Sequence, residues 1–243
     1  MKQQKKVHRI FIDSYLPSEI YNCSDELSHR IISVLRIKDQ DKLVIFNDKK
    51  DQYLCSVKTI NKKIQLSLES KITNRTIPKR NVSLAVSIVS MKIMDLIIQK
   101  SVELGVNEFY PVYTKRSQYN NVQKKINHWR KIIIHSSEQC GRYELMKIHT
   151  PLSLNEYIDT NRKGSRYILH QNGTPFNYSE ISQKDISFFI GPEGGFNDEE
   201  LDIFKTNEWQ MKRISVNILR TETACISAIT LLNNYESFSR HSI

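Results

Sequence analysis

The chain has 243 residues, a formal net charge of +10, 39% apolar side chains and 26% charged ones, enough apolar matter for one large or two modest domains. No run of about 18 apolar residues exists, which argues against a membrane helix, and the opening "MKQQKKVHRIF" lacks the apolar stretch of a secretory signal. The four cysteines (Cys23, Cys55, Cys140, Cys225) include no CxxC pair, which disfavours a disulfide framework or cysteine metal site and fits a reducing, cytoplasmic setting.

The charge is uneven. Residues 1–80 carry 17 Lys/Arg against 9 Asp/Glu, whereas residues 81–243 are nearly balanced, 19 against 17. A basic N-terminal unit facing a polyanion fits that asymmetry, although solubility alone would also produce it.

In chain order, "RIFI" (9–12), "KLVIFN" (42–47), "QYLCSVKTI" (52–60) and "KIQLSLES" (63–70) read as short strands, with "NDKKDQ" (47–52) as a hairpin turn. Between the first two, "DELSHRIISVLRI" (25–37) has the apolar spacing of a short helix. Short strands with one helix suggest a small barrel or sandwich, and "NRTIPKRN" (74–81) then reads as a linker. The rhythm changes to strands at 82–89, 108–113, 165–170, 185–190 and 211–216, and helices at 94–105, 127–141 and 221–235, with Gly105 and Gly141 at two helix ends. Such alternation argues for βαβ units and a parallel sheet.

Two patches stand out. "IGPEGGF" (190–196) follows a buried-type strand and precedes "NDEEL", where Asn197 and Glu200 have capping-box spacing. A strand, a glycine turn and a capped helix place the turn at a carboxyl strand end, where ligands bind in open α/β sheets. Gly191, Gly194 and Gly195 can take positive φ or let a ligand approach bare backbone. A turn needed only for packing would look similar. There is neither a P-loop nor a GxGxxG spacing, and the acids of the first helical turn would repel a phosphate. In "NILRTETACISAITLL" (217–232), Thr221 or Thr223 can cap a helix bearing a small-residue stripe. Arg220 lies just before that helix, where its dipole disfavours a cation, so Arg220 calls for a partner. His128 and His135 share a predicted helix without a third ligand, so no metal is expected. Cys140 has no evident base and reads as packing.

Together these patches resemble the RsmE family of 16S rRNA uridine N3-methyltransferases, in the SPOUT class of S-adenosyl-L-methionine (SAM) enzymes. The likeness runs through "RIF" (9–11), "VLRIKDQDKLVIFN" (34–47), "MDLIIQKSVELGVNEFYPVYTKRS" (94–117), "WRKIIIHSSEQCGR" (129–142), "IGPEGGF" and "ILRTETA". It implies an α/β protein with a PUA-like RNA-binding β-barrel (1–74) and a SPOUT domain (75–243) whose deep trefoil knot holds SAM bent. The implied cofactor contacts are Leu169, His170, Gly191, Glu193, Gly194, Gly195, Ser215, Val216, Ile218, Leu219 and Arg220. The glycines would then admit the adenine and ribose of a cofactor without phosphates.

In the implied reaction Arg220 stabilises the developing uracil anion, and Glu193 and Glu222 are alternative general bases, either of which could instead be a cap or a second support. RNA contacts fall to Arg9, Arg30, Arg36, Lys38 and Lys42 of the barrel, with Lys92, Arg116, Gln139 and Arg142 beyond it. The implied partners are the small ribosomal subunit and a second copy in a homodimer, with neither membrane nor metal. Two departures matter. The family's glycine before "ILR" is absent, so Val216, Asn217 and Ile218 run on in a shorter loop where Asn217 could supply the turn. Gln40 and Lys50 stand near turns where glycines are common. Two other readings compete: an assembly factor that has lost SAM, favoured only by the altered loop, and a NAD enzyme, which lacks its glycine fingerprint here.

Overall fold

The computed structural model describes residues 7–16, 19–61, 63–73, 80–160, 164–177, 181 and 185–238, without the side chains of 233–238. Most of the expected linker, 74–79, lies outside them. The described residues form two compact units, one drawn from Met1–Ile77 and Ser137–Leu145, the other from Pro78–Ser136 and Met146–Ile243.

In the first unit, β1 (His8–Phe11), β2 (Ile20–Asn22), β3 (Lys42–Phe46), β4 (Gln52–Ile60) and β5 (Lys63–Lys71) form a sheet in the order β1-β3-β4-β5-β2. Only β1 and β3 run parallel. The alternation of β4 and β5 sends Cys55, Val57, Ile64 and Leu66 into a core with Ile10, Ile31, Leu43 and Ile45. Burial pushes the Cys23 and Cys55 thiols up to about 12, as expected of packing cysteines. The expected single helix is instead α1 (Asp25–His29), capped by Ser24, continued by a π-helical turn at Arg30–Val34. The wider turn is followed, after Leu35, by Arg36 at φ 53°, so the apolar spacing indicated the buried face but not the winding. Gln40 and Lys50, the two turn positions without glycine, adopt left-handed φ of 68° and 65°.

The second unit holds β6 (Asn81–Ser87), α2 (Met91–Glu103), β7 (Glu108–Tyr113), α3 (Ile126–Cys140) as far as Ser136, β8 (Lys147–Ile148), β9 (Leu152–Ser153), α4 (Leu154–Ile158), β10 (Ser165–Pro175), β11 (Asp185–Ile190), α5 (Asp198–Thr206), β12 (Gln210–Arg213) and α6 (Thr221–Phe238). The sheet order is β12-β10-β11-β6-β7-β8, with β9 also on β7, and every pairing is parallel. The continuous apolar runs of β6 and β11 are buried along nearly their whole length, as strands covered on both faces must be. Phe189, Phe196, Phe204 and Trp209 meet edge-on at 4.9–6.3 Å between ring centres, locking α5 to the sheet. Asp95 of α2 holds α3 by accepting from the Trp129 indole and pairing with His128, each at 2.9 Å.

Candidate active site

The carboxyl ends of β10 and β11, the loop after β12 and the start of α6 enclose a cavity of about 260 Å³. Of the residues implied by the family likeness, Leu169, His170, Gly191, Glu193, Gly194, Gly195, Ser215, Ile218 and Leu219 line it. Val216 does not; it projects into solvent with 91% of its surface exposed. Arg220 sits between two lining residues, Leu219 and Thr221, but is itself on the outer surface. Glu222 is also off the cavity, and its Oε2 is buried without a hydrogen-bond partner among the described residues.

The three glycines serve two different ends. Only Gly195 has positive φ, +70°, with open space where a Cβ would stand. A Cβ on Gly191 would lie 2.9 Å from the Phe196 ring, and one on Gly194 would lie 3.1 Å from Cδ of Arg116. Left-handed freedom is therefore required once, and close approach explains the other two.

The turn is held from several sides. Pro192 O accepts from Gly195 N at 2.9 Å. The Arg116 guanidinium donates to Gly194 O. Asn197 and Glu200 form the expected capping box of α5. Glu200 is buried, and its second oxygen accepts from Lys115 N at 2.8 Å, which ties the loop after β7 to the helix start. Thr221 was a candidate cap, but its hydroxyl donates to Gly191 O at 3.1 Å, which joins the two sequence patches.

The altered loop closes by a side-chain turn: Ser215 Oγ accepts from Asn217 N at 3.1 Å. β10 carries an irregularity in which Lys212 of β12 faces both Leu169 and Thr174, so residues 170–173 bulge at the cavity. His170 Nδ1 accepts from Asn172 N at 3.2 Å, and burial holds its pKa below the ordinary histidine value. The lining residues that the family likeness did not indicate include Gln171, Phe196, Lys212, Arg213 and Thr221. β12 ends at Arg213, three residues before its expected end, and Lys212 and Arg213 stand at the wall.

The basic candidates divide by what they touch. Arg9 donates to Gln52 Oε1 and Arg142 O and lies 5.0 Å over the Phe46 ring, with burial lowering its pKa. Arg30 forms a two-point pair with Glu138, at 2.6 and 3.1 Å. The half-buried Arg142 donates to Glu144 O at 2.6 Å and has its pKa lowered by desolvation. Lys42 pairs with Glu69 at 2.8 Å. Arg36 and Lys38 are exposed, with no side-chain partner among the described residues. No group of His, Cys, Asp or Glu among the described residues is placed to hold a metal ion, and no helix there is long and apolar enough to cross a membrane.

A family model described as an RNA methyltransferase domain matches residues 76–233. The chain is 32% identical to ribosomal RNA small subunit methyltransferase E of Buchnera aphidicola subsp. Acyrthosiphon pisum, covering 95% of this chain and 94% of that one. It superposes on the crystal structure of a ribosomal RNA small subunit methyltransferase E from Neisseria gonorrhoeae bound to S-adenosyl methionine, with a TM-score of 0.87, 25% identity and 95% and 98% of the two chains covered. A methyltransferase from Legionella pneumophila in complex with SAM gives 0.85, 28% and the same two coverages.

Proposed function

Because this chain belongs to the ribosomal RNA small subunit methyltransferase E family, we propose that it transfers the methyl group of SAM to N3 of a uridine in 16S rRNA. The observation that carries this reading is the convergence of the glycine turn, the end of β10 and the loop 214–219 on one strand-end cavity. The lining suits SAM: backbone and apolar groups for a nucleoside, and an acidic helix start in place of a phosphate site.

SAM, when bound, supplies the methyl electrophile. The chain's own residues must orient the partners, remove the N3 proton and compensate the charge left on uracil. Gly191, Gly194 and Gly195, with Leu169, Ile218 and Leu219, would hold the adenosine. Glu193, at the cavity wall, takes the N3 proton in preference to Glu222, which does not line the cavity. Arg220, exposed beside the rim and unpaired among the described residues, stabilises the uracil anion.

The second unit is a SPOUT domain with a trefoil knot, and the first a PUA-like barrel whose free cations Arg36 and Lys38 contact phosphates. Arg9, Arg30 and Arg142 shape that unit through their internal partners. Val216, 91% exposed beside the cavity, and Ile218, 82% exposed at its wall, are covered on their outer side by a second copy in a cytoplasmic homodimer.

Arg220→Ala tests the role assignment. It is expected to bind SAM as the wild type does while kcat falls about 100-fold or more; an unchanged kcat would remove Arg220 from the mechanism.

A further inference from the structure

Besides His170, three charged residues line the cavity: Glu193 on the glycine turn, and Lys212 and Arg213 on β12. Among the described residues neither cation has a side-chain hydrogen bond or ion pair. Lys212 is half-buried, and a partly desolvated cation without a counter-ion is unfavourable until an anion arrives.

The strand that carries them is firmly placed. β12 is the sheet edge beside β10, and Phe176 N donates to Arg213 O at 2.9 Å. Gly173 lies against the Lys212 backbone so tightly that a Cβ there would stand 2.5 Å from the Lys212 carbonyl carbon. The two cations are thus fixed at the wall, next to the bulge that bears His170 and Gln171.

We propose that Lys212 and Arg213 form an anion subsite for the carboxylate at the amino-acid end of the cofactor. This rests on reading the cavity as the SAM site. The carboxylate is covalently tied to a nucleoside that occupies the same cavity, so it meets the two cations at high effective concentration. A free phosphate has no such tether, and the first turn of α5, which follows the glycine turn, is acidic at Asp198 and Glu199.

The test compares SAM with decarboxylated SAM by calorimetry on the full chain, in the wild type and in Lys212→Met/Arg213→Gln. The wild type is expected to prefer SAM by about tenfold or more, the worth of a charge-assisted hydrogen bond. The double variant should lose that preference and bind decarboxylated SAM as the wild type does, which also shows that it is folded. Equal weakening of both ligands would make the pair a structural feature of β12. An unchanged SAM preference with weakened rRNA binding would assign the subsite to a phosphate and overturn the proposal. Failure of the wild type to bind either ligand would overturn the cavity reading itself.

Discussion

The hydroxyl of Thr221, the first residue of α6, donates to the carbonyl of Gly191, the first residue after β11, across 3.1 Å. One side chain thereby fixes the spacing between the glycine turn and the loop 214–220, which face each other across the cavity. Thr221 is 4% exposed, so water cannot replace it freely. Thr221→Val should cost about 1 kcal/mol of stability, lowering Tm by roughly 2–4 °C, and weaken SAM binding. Thr221→Ser should restore most of both. Calorimetric melting with and without SAM reads the pair, and a valine variant with unaltered SAM affinity would uncouple this bond from the site.

The glycines rank by what their Cβ would meet. Of Gly173, Gly191 and Gly195, Gly173→Ala places a methyl against fixed backbone of Lys212 and should be the most damaging, leaving little folded protein in expression and melting assays. Gly191→Ala presses on the Phe196 ring at 2.9 Å and should cost about 1–3 kcal/mol together with most SAM binding. Gly195→Ala meets only its own φ of +70°, at about 1 kcal/mol. A larger loss at Gly195 than at Gly191 would reverse this account of the turn.

Glu200 is a buried carboxylate whose two oxygens accept from Asn197 N at 3.0 Å and Lys115 N at 2.8 Å. Glu200→Ala orphans both donors and should destabilise the second unit by about 2–3 kcal/mol. Glu200→Gln, which keeps the shape but turns a donor toward one N–H, should fall between. Urea unfolding of the three proteins measures the order.

His170 supplies a pH dependence. Burial keeps its folded pKa below the unfolded value, and its Nδ1 must be unprotonated to accept from Asn172 N. Above the ordinary histidine value of 6.5 neither state is charged and the stabilisation is intact. As pH falls below that value the unfolded chain takes up the proton first, and stability is lost down through the folded pKa. The wild type should therefore lose more stability than His170→Gln between neutral pH and pH 5, and its SAM affinity should weaken over the same range. Parallel pH profiles for the two proteins would contradict this.

Much of the second unit was legible because its signals are local. The runs of β6 and β11, the Asn197–Glu200 box and Gly105 at φ +86° each follow from a few neighbouring residues. The failures were long-range. The placing of Lys212 and Arg213 at the cavity depends on a bulge in β10, a strand more than thirty residues away, and no periodicity in 165–175 announces it. Arg9, Arg30 and Arg142 look like free cations in sequence, yet two of them engage Gln52 and Glu138, and Arg142 a backbone carbonyl. Charge is countable from sequence, but its neutralisation by distant partners is not. The π-helical turn at Arg30–Val34 has the apolar face of an ordinary helix and differs only in winding.

The central claim is tested most directly by methyl transfer itself. The chain would be incubated with radiolabelled SAM and small ribosomal subunits from cells lacking the cognate enzyme, and the digested nucleosides separated. Label in 3-methyluridine, abolished or strongly reduced in Arg220→Ala, is the predicted result. Label in another nucleoside, or none in subunits and free rRNA alike, would contradict it.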